Sequence, residues 1–178
     1  AAENALMVVD NLGNQPAFGD HTDWTVTAGI PDFLGRCAWY YRDGRYLWGA
    51  MRAGQSLAGE LQETYTPRVE PTPPADHVGI VISRLPKQCY DHTERQAQYP
   101  VKPNLPYEES FDKLTFRDGL DPQNQYLLLD GYARGNHMHF DANAIIHFAD
   151  RGACWLVDGE YIRNGPKYHN SLTVLRDG

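Results

Sequence analysis

Cysteine is scarce and unpatterned in this chain: Cys37, Cys89 and Cys154 are an odd number of thiols with no CxxC spacing. That excludes a disulfide framework or a zinc-finger array as the organising element. Each thiol is expected to act as a small buried apolar residue. No run of apolar residues is long enough to form a bilayer-spanning helix, so no membrane partner is expected. Basic residues neither dominate nor cluster, and the formal net charge is -7. The phosphate footprint of a nucleic-acid binder is therefore missing, although a local basic patch could still meet an anionic polymer. GxGxxG, P-loop and GxSxG patterns are all absent, which removes nucleotide-binding fingerprints and a serine elbow.

What the chain does have is aromatic side chains, above all 11 Tyr and 4 Trp. Such residues suit a sugar-binding cleft and equally a well-packed β-rich core. With 178 residues there is enough chain for one domain or for pieces of two. The opening Ala1-Ala2-Glu3-Asn4 and the closing Leu175-Arg176-Asp177-Gly178 both read as cut edges, so we expect an interior fragment of a larger protein.

Residues 1–65 are expected to be helical. Phe33 to Tyr41 would place Phe33, Cys37, Tyr40 and Tyr41 on one face, starting near Asp32 after Pro31. Gly44 interrupts that pattern, Tyr46, Leu47, Ala50 and Met51 resume it, and Ser56 to Thr64 suggests a third short helix. Residues 66–77, with Pro67, Pro71, Pro73 and Pro74, read as a linker because proline removes the donors a helix needs. Residues 78–178 carry a β signal, with strands expected at 78–82, 113–117, 126–130, 142–149, 153–157 and 170–175. Strands at short intervals with no helices between them predict an antiparallel β-sandwich, here incomplete. The expected class is α+β.

Function is written mainly in the last quarter. In His137-Met138-His139-Phe140-Asp141 the polar groups recur at every second position, and Met138, Phe140, Ala142, Ala144, Ile146 and Phe148 would fill the opposite strand face. His139, Asp158 and His169 could supply three ligands to one zinc ion, with Asp141 orienting an imidazole from behind. The bland alternative is an ordinary polar strand face. If Arg151-Gly152 is a two-residue turn, Asp158 falls opposite Ile145, roughly 20 Å along an extended strand from His139. The cluster then closes only if residues 137–141 bend back over the strand end. His147 is expected to be structural, with no partner that the sequence names, and His21, His77 and His92 are expected to be solvated in loops.

The succession of Phe111-Asp112-Lys113-Leu114, Gln125 to Gly131, His137 to Asp141, Trp155 to Asp158 and His169-Asn170-Ser171-Leu172 resembles the heparinase II/III-like polysaccharide lyases. Pro16-Ala17-Phe18-Gly19-Asp20 and the helices after it resemble, less specifically, the close of that family's (α/α) toroid. The resemblance implies a toroid packed against an antiparallel β-sandwich, with an acidic polysaccharide cleaved by β-elimination in the cleft between them. It implies a structural zinc at His139, Asp158 and His169, His137 facing the substrate, and Tyr161 at a position where some members carry a catalytic tyrosine. Tyr161 and Tyr168 would equally serve as packing or rim residues. The family's other tyrosine and its Asn/His groups would lie upstream of Ala1. A periplasmic or secreted location follows from the substrate class. Two further readings stay open: a non-catalytic carbohydrate-binding relative, and a hydrolase using metal-bound water.

Overall fold

The structure, a computed structural model, describes residues 1–16, 29–54, 63, 69–84, 86–88, 106–131, 143–158 and 169–171. Among these residues the chain is α+β: three α-helices, α1 (Ala2–Val8), α2 (Ile30–Tyr41) and α3 (Gly44–Ala53), precede an antiparallel sheet of five strands.

Helix α1 is not signalled by periodicity. Its seven residues lack a side-chain cap, and it is too short to be stable alone. Burial of Ala5, Leu6, Met7 and Val8 holds it in place. In α2, Pro31 occupies the first turn, where its missing N–H costs nothing, and Arg42 closes the helix in the left-handed conformation at φ 55°. The expected apolar face is corrected. Pro31, Leu34, Gly35, Cys37 and Ala38 are the buried residues of α2, whereas Tyr40 is 72% exposed and Tyr41 62%. Small side chains on this face fit into the cluster formed with Leu6, Leu47 and Ala50, and the bulky rings turn outward. The proposed helix at 56–64 lies outside the described residues apart from Glu63.

Asp43 caps α3 by accepting a 2.9 Å bond from the Arg45 backbone N–H. Gly44 opens this helix because the proline-rich stretch crosses directly over it. A Cβ there would lie 2.1 Å from the Glu70 carbonyl oxygen, and the Thr72 N–H donates to Gly44 O at 3.0 Å. The segment expected to be a linker is thus packed on the helices where it is described.

That packing also buries His77, which was expected to be solvated. Its side chain is 3% exposed, and its Nε2 lies 3.1 Å from Glu3 Oε2. Tyr46 donates to the other Glu3 oxygen at 2.5 Å, and Arg45 ties together Glu3, Asp43 and Asp76. Burial, helped by the Arg117 charge, holds His77 below its ordinary pKa, against the opposing bond to Glu3. Burial would raise the Glu3 carboxyl, but the bonds from Tyr46 and His77 and the charge of Arg45 bring it below the usual range.

The sheet is a meander in chain order: β1 (Gly79–Ile82), β2 (Lys113–Arg117), β3 (Tyr126–Asp130), β4 (Ala144–Asp150) and β5 (Ala153–Val157). Strands β2, β3 and β5 have the expected bounds. Arg151 and Gly152 form the expected tight turn, both at positive φ (53° and 74°). One sheet face buries Thr115, Arg117, Tyr126, Leu128, Ala144, Ile146, His147 and Ala149. The other carries two rows of paired residues, Ile80–Phe116–Leu127–Phe148–Leu156 and Ile82–Leu114–Leu129–Ile145, which are half-buried or exposed.

Strict alternation fails in β4. The register shifts so that Leu128 pairs with His147 and Leu129 with Ile145. Ile146 is the extra residue of this bulge, and both Ile146 and His147 face the buried side. The expected apolar row through Ala144, Ile146 and Phe148 is therefore split between faces. A second shift places Leu156 opposite Phe148, and Asp158 donates its N–H to Ile146 O, not to a site opposite Ile145 as expected.

The helical layer meets the sheet through buried polar contacts. The Arg117 guanidinium donates to Met7 O at 3.0 Å, Val9 O at 2.6 Å and Asn11 Oδ1 at 3.2 Å, and sits 4.6 Å from the Tyr126 ring centroid. Burial pushes the Tyr126 phenol up, so it stays protonated and donates to Met7 O at 3.0 Å. Arg117→Met should strand these acceptors and destabilise the protein by about 3 kcal/mol, read from the urea midpoint. A change below about 0.5 kcal/mol would contradict the docking role. A second test uses pH. A depressed His77 makes the unfolded chain bind more protons below about pH 6.5, so stability should fall as pH drops through that value. The Glu3 contribution is present above its unfolded pKa and is lost at lower pH. His77→Gln, which keeps a donor for Glu3 but cannot titrate, should flatten the Tm profile between about pH 7.5 and 5.5. An unchanged slope would exclude His77 as the titrating group.

Candidate metal centre

Strand β4 has more length than β5 can cover. The ladder between them ends at His147↔Val157, followed by the Asp158–Ile146 bond. The slot beyond is taken by a returning segment, residues 169–171. Ile145 N–H donates to Asn170 O at 3.0 Å, and Ser171 bridges Ala144. Asp158, at the end of β5, and His169, at the start of the returning segment, meet at this seam.

There the His169 Nδ1 lies 3.0 Å from Asp158 Oδ1 and 3.2 Å from Oδ2, and each side chain is 5% exposed. Without a metal, an imidazole facing a carboxylate in this way donates Nδ1–H to it and presents Nε2 on the far side of the ring. That Nε2 is buried and has no hydrogen-bond partner. A buried polar nitrogen without a partner costs about 1–3 kcal/mol. The seam therefore holds two zinc-type donors side by side and one unsatisfied nitrogen. Were Nδ1 to give up its proton to a metal, it and the Asp158 oxygen would be neighbouring ligand atoms, which in a tetrahedron with bonds of about 2.0–2.1 Å are about 3.3 Å apart, close to the spacing seen here. The donor chemistry fits a zinc ion.

The other expected site residues, His137, His139, Asp141 and Tyr161, lie outside the described residues. The ends of their connection are nonetheless fixed. Asp130 pairs with Ala144, Asn143 N–H donates to Asp130 O at 2.6 Å, and Gly131 N–H donates to Asp112 O at 2.8 Å. Asn143 adopts φ 60°, which breaks the extended backbone just before Ala144. Gly131 and Asn143, the residues that bound this connection, thus lie at the end of β4 occupied by Asp158 and His169. Among the described residues, no three His, Cys, Asp or Glu side chains are grouped as a metal site.

His147 is structural, as expected, and its partner, which the sequence does not name, is Asp10. Its Nε2 lies 2.9 Å from Asp10 Oδ2, and neither side chain has any exposure. Asp10 also accepts from Leu12 N, Asn14 N and Asn14 Nδ2. On the opposite side of the ring, Cys154 Sγ lies 3.8 Å from His147 Nδ1, and burial pushes this thiol up. The line from Asp10 through His147 to Cys154 ties the N-terminal turn to the sheet.

Asp158→Asn should cost about 1.5–3 kcal/mol in protein stripped with a chelator, because the buried imidazole loses an anionic partner. Chemical denaturation measures this, and equal stability of the two proteins would mean that the pair contributes nothing without metal.

No protein-family model, no curated protein and no solved structure matches this chain.

Proposed function

We propose that the chain comes from a heparinase II/III-like lyase that cleaves a uronic-acid polysaccharide by β-elimination. In this reading residues 1–65 close an (α/α) toroid, 66–77 link it, and 78–178 belong to an antiparallel β-sandwich. The observation that carries the proposal is the buried Asp158–His169 pair. It lies at the end of β4 from which the connection bearing His137, His139 and Asp141 departs. The order of the motifs along the chain supports the same reading. The open apolar sheet face supports a second layer, as a sandwich requires.

His139, Asp158 and His169 would hold one structural zinc, and Asp141 would orient an imidazole behind it. Zinc held by these residues would cross-link the β3–β4 connection to the seam and would stiffen the segment that carries His137. His137 would then lie against the uronate carboxylate. The proton beside that carboxylate is weakly acidic, so neutralising the carboxylate stabilises the developing enolate. A base removes the proton and an acid protonates the leaving oxygen, with Tyr161 the candidate for one of these transfers. The substrate would be encountered in the periplasm or outside the cell.

Metal analysis, combined with ultraviolet absorbance during incubation with uronic-acid polysaccharides, tests this function. The unsaturated elimination product absorbs where its substrates do not. Stoichiometric zinc with rising absorbance on one polymer is expected, and His139→Ala should lose the metal and lower Tm. Zinc without product would favour the non-catalytic carbohydrate-binding relative. Absence of zinc, with Tm unchanged in His139→Ala, would overturn the metal assignment.

A further inference from the structure

Among the described residues no backbone hydrogen bond joins β5 to the returning segment, yet Asp158 and His169 are held in register across the seam. Besides the Asp158–His169 contact itself, the Asn170 side chain spans the gap. Asn170 Nδ2 donates to Val157 O at 3.1 Å, the residue before Asp158, and to Ile145 O at 3.4 Å on β4. Its own backbone oxygen accepts from Ile145 N–H at 3.0 Å. Asn170 thus grips the Ile145 peptide at both N–H and C=O, and its amide reaches over to the strand that ends in Asp158. These three contacts flank His169 by one residue and Asp158 by one residue. Ile145 also lies beside the β4 bulge, where the ladder alone specifies register least.

From this geometry we infer that Asn170 is a positioning residue: its carboxamide sets the separation of Asp158 and His169 and so presets the metal-binding pair. The inference deepens the zinc reading above and rests on it for its metal consequence. Aspartate cannot replace Asn170, because the two carbonyls require an N–H donor. Leucine would leave both carbonyls without that donor. Asn170 is exposed, so truncating it opens no cavity in the core.

Asn170→Ala is compared with the wild type and with Tyr126→Phe, which loses one hydrogen bond elsewhere in the sheet. In chelator-treated protein, nitrogen-15 NMR of the His169 imidazole reports its Nδ1–H, protected from exchange by the bond to Asp158. Exchange should accelerate at least tenfold in Asn170→Ala and remain as in the wild type in Tyr126→Phe. Zinc affinity, measured by competition with a chromophoric chelator, should weaken by about 10–100-fold in Asn170→Ala alone. Unchanged exchange in Asn170→Ala would overturn the positioning role, whatever the metal does. Accelerated exchange in a wild-type background that binds no zinc would support the positioning role and overturn the metal reading instead.

Discussion

The arrangement depends on a cation buried where helix meets sheet. Arg117 projects from β2 into the C-terminal end of α1, where the Met7 and Val9 carbonyl oxygens lack partners within the helix. Hydrogen bonds to a charged group are worth about 1.5–3 kcal/mol each, but a buried cation without them would be prohibitively costly. The contact is therefore specific: the Met7 and Val9 carbonyls and the Asn11 side chain take up Arg117 Nη2 and Nε, while Nη1 is buried without a partner. Around it, Asn11 donates to the carbonyls of Gly119, Asn124 and Gln125, and Asp10 grips His147. A helix too short to stand alone is thereby fixed, and it anchors α2 and α3 through Leu6.

Two irregularities in the ladder around β4 govern what the sheet presents. The bulge at Ile146 turns His147 inward to Asp10, where an unbroken strand would send it to the opposite face. The shift in β5 advances Asp158 by one position, bringing it level with Ile146 and next to the returning segment. In a regular sheet either residue would point elsewhere, because a one-residue slip reverses every side chain. Asp158 and His169 meet because β5 stops short and another segment fills its place.

Strand positions were legible because short runs of β-branched and aromatic residues end in turn formers, as at Tyr126–Asp130 and around Arg151-Gly152. Asp158 and His169 were legible as ligand types, and the structure brings them together. The errors came from effects that local pattern does not contain. The aromatic stripe of α2 faces outward because packing on α3 selects small residues. His77 is buried by a proline-rich segment whose composition suggests exposure. Asp10, followed by Gly13 and Asn14, signals a turn, but nothing local points to a histidine 137 residues away. Asn170 looks like any polar residue after a histidine until the seam it spans is seen.

In the proposed site, Asp158 and His169 would be two ligands of a zinc ion completed by His139. Zinc K-edge X-ray absorption of the purified protein tests it most directly. The expected spectrum is that of a four-coordinate shell of nitrogen and oxygen at about 2.0–2.1 Å with two imidazole signatures, unchanged by Cys154→Ser. A sulfur scatterer at about 2.3 Å, or zinc bound with no imidazole signature, would contradict it.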